Sequence, residues 1–464
     1  MKKILFIVTG LITIAIFPSC LTKKYHAPQV DAEGLFRDEN PTDTNTIADI
    51  SWDNYFSDTI LVQLIEEGLS NNFDLQIAYT SITQAEASLR MAQRAYFPNV
   101  SLAGSVNYLS NSIGDKGKKV FGYNSAQYSL GVTASWEADI WGKIRRQSKA
   151  QYAQFLYSQA YFDLIKTSLI ANIATSYYSL LALDEQLKIT FETINSLKES
   201  TETMQALMEA GMLTGASVEQ SKALYYATQV TIPDLESQIR QMENSLCVLL
   251  GRKPQSISRS SLDEQQVDTL LHYGVPVQML ARRPDVWESE LSFRSAFELT
   301  QAAKAAFYPS ITLNTGSIAG LLSTTLSSFF TPENIFANVL GGITQPLFAQ
   351  GKLRGNLKIA EAEQESALLN FRKTVLSASQ EVSDILFGFE SSLSKNSIRQ
   401  KQIEALNTSV YFTQELLKAG EANYTEVLTA QQNLLSAQLS QVSDKLEQLQ
   451  YSVNLYRALG GGVE

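Results

Sequence analysis

The sequence predicts a mainly α-helical chain that carries a membrane β-barrel and is built from two copies of one half. Three observations predict it. Short landmarks recur in the same order about 210 residues apart. Two stretches of nearly 70 residues contain no proline. Ahead of each stretch lies a pair of segments in which apolar and small polar residues alternate, less cleanly ahead of the second.

The duplication is clearest around residues 280–313. Leu280-Ala281-Arg282-Arg283-Pro284-Asp285-Val286 opens a helix, because Pro284 suits a first turn whose N–H groups have no helical partner. Asp285 and Glu288 complement the positive end of its dipole. Pro309, in Phe307-Tyr308-Pro309-Ser310-Ile311-Thr312-Leu313, stops the helix, and beyond it the period falls from 3.6 to 2. Ala95-Tyr96-Phe97-Pro98-Asn99-Val100-Ser101-Leu102 matches Ala306–Leu313 at an offset of 211, and Asn72-Phe73-Asp74-Leu75 faces Arg283–Val286 at the same offset. Gly142-Lys143 faces Gly351-Lys352, Ala210-Gly211 faces Ala419-Gly420, and Leu250-Gly251 faces Leu459-Gly460, each at 209. Each half reads helix, strand pair, very long helix, turn, long helix. A repeat of this length is a duplicated half-domain rather than a solenoid unit.

With 464 residues, 44% of them hydrophobic, the chain can bury a large core, and a formal net charge of −10 without charge blocks argues against a nucleic-acid partner. Residues 1–19 read as a secretory signal: Lys2-Lys3, then an apolar run from Ile4 to Phe17 too short to span a membrane. Its end, Phe17-Pro18-Ser19-Cys20, resembles a lipoprotein cleavage box, which makes Cys20 the lipidated first residue of the mature chain. No later segment is apolar enough for a membrane helix, so a spanning structure has to be a barrel. Cys247, inside Leu246-Cys247-Val248-Leu249-Leu250, reads as a buried core thiol.

In chain order, residues 20–50 form a lipid-anchored extended tail. A short helix lies within Trp52–Leu69, and Asn71 or Asn72 caps the next, which runs to about Tyr96. The first repeat spans 51–251, with barrel strands at about 100–138. There Val100, Leu102, Val106 and Tyr108 alternate with Ser101, Ala103, Ser105 and Asn107. Tyr128, Leu130, Val132, Ala134 and Trp136 alternate with Gln127 through Ser135. Such alternation suits lipid on one side and water on the other, although a half-buried soluble sheet shows it too. Residues 114–119 form an exposed loop. Lys143 to about Ala210 is one helix of roughly 100 Å at 1.5 Å per residue. Pro233 kinks or breaks the helix that follows. Residues 252–274 are a linker. The second repeat, 275–464, has barrel strands at about 310–348, with pairs at Ile311–Ala319 and Ala337–Leu347. Its long helix, Lys352 to about Ala419, contains a lone Gly388. In the last helix Leu428, Leu435, Val442, Leu449 and Tyr456 recur every seven residues, a coiled-coil seam. Trp136, Trp141 and Phe348 near the strand bases suit either an aromatic interface girdle or core packing.

No catalytic, cofactor-binding or metal-ligating constellation is visible. His26 and His272 stand alone, no Gly-rich phosphate loop follows a strand, and the chain reads as a non-enzyme without a cofactor. Two turns between long helices remain: Ala210-Gly211-Met212-Leu213-Thr214-Gly215-Ala216-Ser217 and Ala419-Gly420-Glu421-Ala422-Asn423-Tyr424-Thr425. A glycine C-cap followed by a new N-cap accounts for Gly211, Gly420, Ser217 and Asn423.

Leu280–Val286, Phe307–Leu313, Pro346-Leu347-Phe348 with Gly351, and the ending Leu455-Tyr456-Arg457-Ala458-Leu459-Gly460-Gly461-Gly462 resemble the outer-membrane efflux proteins, from about Trp52 to Gly462. Within that family the chain most resembles the lipoprotein channels of resistance-nodulation-division pumps. Four strands per chain cannot close a barrel alone. Two chains give eight and three give twelve, and the resemblance selects the homotrimer, with a 12-stranded barrel in the outer membrane and a helical tube across the periplasm. It implies a passive exit duct for small molecules, coupled through a periplasmic adaptor to an inner-membrane pump. A type I secretion duct and a soluble coiled-coil scaffold are the rivals. The resemblance further implies that the two turns are periplasmic tips: Gly211, Leu213, Thr214, Gly420 and Asn423 as adaptor contacts, Glu421 and Tyr424 as the gate. An acid that members often carry two residues after the glycine is Ala422 here, with Glu421 one position earlier.

Overall fold

The structure, a computed structural model, describes residues 23–29, 50–110, 124–266, 282–338 and 340–463. Cys20, loop 114–119 and His272 lie outside the described residues. The helices are α1 (Trp52–Tyr55), α2 (Thr59–Asn71), α3 (Phe73–Arg94), α4 (Lys143–Glu209), α5 (Gly215–Gln229), α6 (Thr231–Leu249), α7 (Pro284–Ala305), α8 (Lys352–Lys418) and α9 (Tyr424–Ala458). The strands are β1 (Asn99–Ser110), β2 (Asn124–Ala138), β3 (Ser310–Ser323), β4 (Ile335–Ala337) and β5 (Gly341–Thr344). The chain divides into one unit of Met1–Gln29, Ile82–Ser158 and Ser289–Phe371 and another of Val30–Ser81, Gln159–Glu288 and Arg372–Glu464.

The first unit holds an antiparallel sheet in the order β1-β2-β3-β4, with β5 also paired to β3. Leu102 pairs with Val132, Val106 with Tyr128, and Ser105 with Ser129, so apolar partners share one face and hydroxyls the other. The Ser105 and Ser129 hydroxyls lie 2.8 Å apart. On the apolar face Leu102 is 72% exposed and Val106 68%, while Leu130 is half-buried. β3 runs four residues past the expected Ala319, and the register shifts between Val132 and Ala134. The fourth strand, expected as one piece from Ala337 to Leu347, is split. Gly341 and Gly342 contribute no side chains to pack, and Pro346 lacks the N–H a ladder needs, so pairing ends at Thr344. At the strand bases Trp136 Nε1 donates to Tyr96 O at 2.8 Å and Trp141 Nε1 to Pro309 O at 2.7 Å. Each indole thus ties down a helix-to-strand elbow. Phe348 is exposed.

The second unit is helical. Asp58 caps α2, accepting from Ile60 N and Leu61 N. Asn72 caps α3, accepting from Leu75 N at 2.9 Å. Its largest buried side chains include Leu61, Ile65, Ile173, Tyr177, Leu180, Leu246 and Leu250. Cys247 lies in the same core, as expected of a core thiol. The α9 seam buries Val442, Leu449, Val453 and Tyr456. The break expected at Pro233 falls at Val230, between α5 and α6, leaving Pro233 in the first turn of α6 where proline is tolerated. Gly388 has a packing reason: a Cβ there would lie 2.6 Å from the Tyr451 ring.

The duplication is visible in bonds as well as elements. α3 and α7 each have 22 residues, and α4 and α8 each have 67. Asn72 Nδ2 donates to Leu249 O, and Arg283 Nη1 donates to Ala458 O, both at 2.9 Å. These are equivalent positions of the two halves. In each, the residue that begins a helix ties off the end of that half's last helix.

Candidate functional site: the two hairpin tips

Each long helix ends in the same way. Gly211 (φ 73°) and Gly420 (φ 77°) adopt the left-handed conformation that glycine takes without steric cost. At the first tip Gly211 N donates to Met208 O and Met212 N to Leu207 O, both at 2.9 Å. At the second, Gly420 N donates to Leu417 O and Glu421 N to Leu416 O. These paired bonds close the last carbonyls of a helix in a Schellman motif.

The return helices begin differently. Asn423 is the N-cap of α9, its Oδ1 accepting from Thr425 N at 3.2 Å. Thr214, not Ser217, stands at the N-cap of α5. Ser217 is buried inside the first turn, its hydroxyl 3.3 Å from that of Thr214. The helix starts at Gly215, three residues earlier than an N-cap at Ser217 would start it.

The two tips meet. Met204 and Val218 from one hairpin form a buried cluster with Leu417 and Val427 from the other, and Leu213 and Tyr424 pack against it. Tyr424 is therefore half-buried within its own chain, with an edge left to solvent. Glu421, Asn423, Thr214, Gly211 and Gly420 are exposed. Met212 escaped the sequence reading. It is 53% exposed, and a Cβ on Gly420 would meet its Cε at 3.6 Å. An apolar residue directly after a helix-ending glycine was the available signal.

Sequence reasoning also missed a charged joint. Arg283 is buried, pairs with Asp285 at 2.8 Å and Glu381 at 2.6 Å, and Glu381 also holds Arg457 at 2.6 Å. The two stretches most distinctive in sequence, around 283 and 457, are thus brought together through α8. Among the described residues no group of three or more His, Cys, Asp or Glu could hold a metal ion, and no helix is long and apolar enough to cross a membrane.

A family model described as outer membrane efflux protein matches residues 64–252 and 275–461. The probable outer membrane lipoprotein SilC of Salmonella typhimurium is 28% identical over 456 residues, covering 97% of each chain. The toluene efflux pump outer membrane protein TtgC of Pseudomonas putida is 31% identical, covering 91% of this chain and 88% of that one. The solved structure of CusC, described in connection with transmembrane channel formation, superposes with a TM-score of 0.83 at 27% identity, covering 95% of this chain and 99% of that one.

Proposed function

The chain belongs to the outer membrane efflux protein family, and from that premise we propose that its hairpin tips are both the gate and the adaptor-docking end of a passive export duct. The duct is a homotrimer in the outer membrane of a Gram-negative bacterium, reaching into the periplasm and working with a periplasmic adaptor and an inner-membrane pump. It exports small molecules, and the pump selects them. One observation carries the channel reading. The sheet exposes apolar side chains along one face, among them Val100, Leu102, Val106, Tyr108 and Val132, and among the described residues it ends in two open edges, β1 and β4/β5. Lipid covers such a face, and in hydrocarbon such edges have to be closed by neighbouring copies.

The gate belongs at the tips because the exposed Glu421 and the half-buried Tyr424 flank the same turn. Around a three-fold axis three Glu421 carboxylates repel one another and favour opening unless cations or basic partners neutralise them. Tyr424 opposes this by packing. Single-channel recording in a planar bilayer tests the assignment. Tyr424→Ala raises the resting open probability, about tenfold if the lost packing is worth about 1.4 kcal/mol. Glu421→Gln weakens block by divalent cations. If both variants behave as wild type, closure lies elsewhere, with the Gly211–Ser217 turn the next place to mutate.

A further inference from the structure

Residues 23–29 form neither helix nor strand, yet they are seated on one face of α7. Lys23 N donates to Gln301 Oε1 at 3.2 Å, and the Tyr25 hydroxyl donates to Glu290 at 3.1 Å. The Tyr25 ring lies 5.6 Å from Phe297, edge-on, and the Arg294 guanidinium sits 5.5 Å from its centre.

Beneath this lies a buried ion pair, Arg146–Glu298 at 2.7 Å, with side chains 7% and 4% exposed. Burying two charges is unfavourable unless their remaining polar atoms are also bonded. The tail supplies one such bond, since Arg146 Nη2 donates to Lys23 O at 2.9 Å. Without the tail, that bond is lost.

The duplication provides an internal control. At the equivalent positions of the other half, Arg146 becomes Gly355, Glu298 becomes Ala87 and Phe297 becomes Glu86. Packing the strand-base helices together therefore does not require these residues. They occur once per chain, as the N-terminal segment does.

We propose that residues 23–29 are a built-in clip that fixes where the lipid anchor leaves the protein, rather than a slack tether. The proposal rests on the reading of Cys20 as acylated. Three peptide steps separate Cys20 from Lys23, a reach of about 11 Å at full extension. A clipped Lys23 therefore confines the acyl group to the neighbourhood of the α4 and α7 strand-base turns.

The test uses full-length protein labelled with a fatty-acid analogue, purified as the detergent-solubilised trimer and exposed to trypsin. Cleavage after Lys23 or Lys24 severs the label from the chain. Label is lost about tenfold faster from Tyr25→Ala and from Arg146→Gln than from wild type, because a protease cuts only a segment that can leave its seat. Tyr25→Ala leaves the buried pair intact, so it reports even if Arg146→Gln folds poorly. Loss at the wild-type rate from Tyr25→Ala overturns the clip. Absence of label from wild type, with none removed by Cys20→Ala, overturns the lipid reading and the proposal with it. Mass spectrometry of the tryptic N-terminus in that unlabelled protein shows separately whether the segment is seated.

Discussion

At the scale of single residues, Arg283 is where the fold is most exposed to one substitution. Its guanidinium joins Asp285, Glu381 and Ala458 O, and its side chain is only 9% exposed. Arg283→Ala takes the cation from Asp285 and leaves Glu381 with Arg457 alone, at a cost of about 3 kcal/mol. The check is a lower dissociation temperature of the heat-resistant trimer. Asp58 ties stability to pH. Burial alone would raise its pKa, but hydrogen bonds from Ser260, Tyr177, Ile60 N and Gln265 outweigh it and hold the carboxyl below its ordinary value. Stability from this group is therefore present above the ordinary carboxylate range and is lost as pH falls through the lowered value. Acid titration of thermal stability should show a smaller loss below about pH 4 in Asp58→Asn than in wild type. Caps and glycines at this scale were legible in the sequence, since Asn72, Gly211 and Gly420 act through local backbone geometry. Arg283 with Glu381 and Arg146 with Glu298 were not, because partners 98 and 152 residues apart leave no trace in spacing.

At the scale of elements, the sheet makes the sharpest prediction. Leu130 and Ser129 are neighbours in β2 on opposite faces, paired with Gly104 and Ser105. Arg in place of Leu130 meets lipid and costs about 2–4 kcal/mol near the bilayer midplane. Arg in place of Ser129 meets water and changes conductance instead. Equal loss of heat-resistant trimer in both variants would reverse this assignment of faces. β1 and β2 were legible because strict alternation survives in them. β4 and β5 were not, because Gly341, Gly342 and Pro346 interrupt the pattern over which alternation is read. The long helices were legible through the absence of proline. The break at Val230 was misplaced by three residues because a helix start tolerates the proline that marks it.

For the whole molecule, strand number requires more than one chain per barrel, and the trimer can be counted directly. Long and short versions of the chain, expressed together, should run as four heat-resistant species, whereas three species would mean a two-chain barrel. The duplication adds a constraint on how such a molecule can change. α4 and α8 both have 67 residues between a glycine-bearing strand base and a left-handed glycine, and at the tips their last turns share one buried cluster. Deleting seven residues from one alone shortens it by about 10 Å and pulls Leu417 and Met204 out of register. A length change in this lineage therefore has to occur twice, at matching places in two distant stretches of one gene. The two helices are like the rails of a ladder, and neither can be recut without the other.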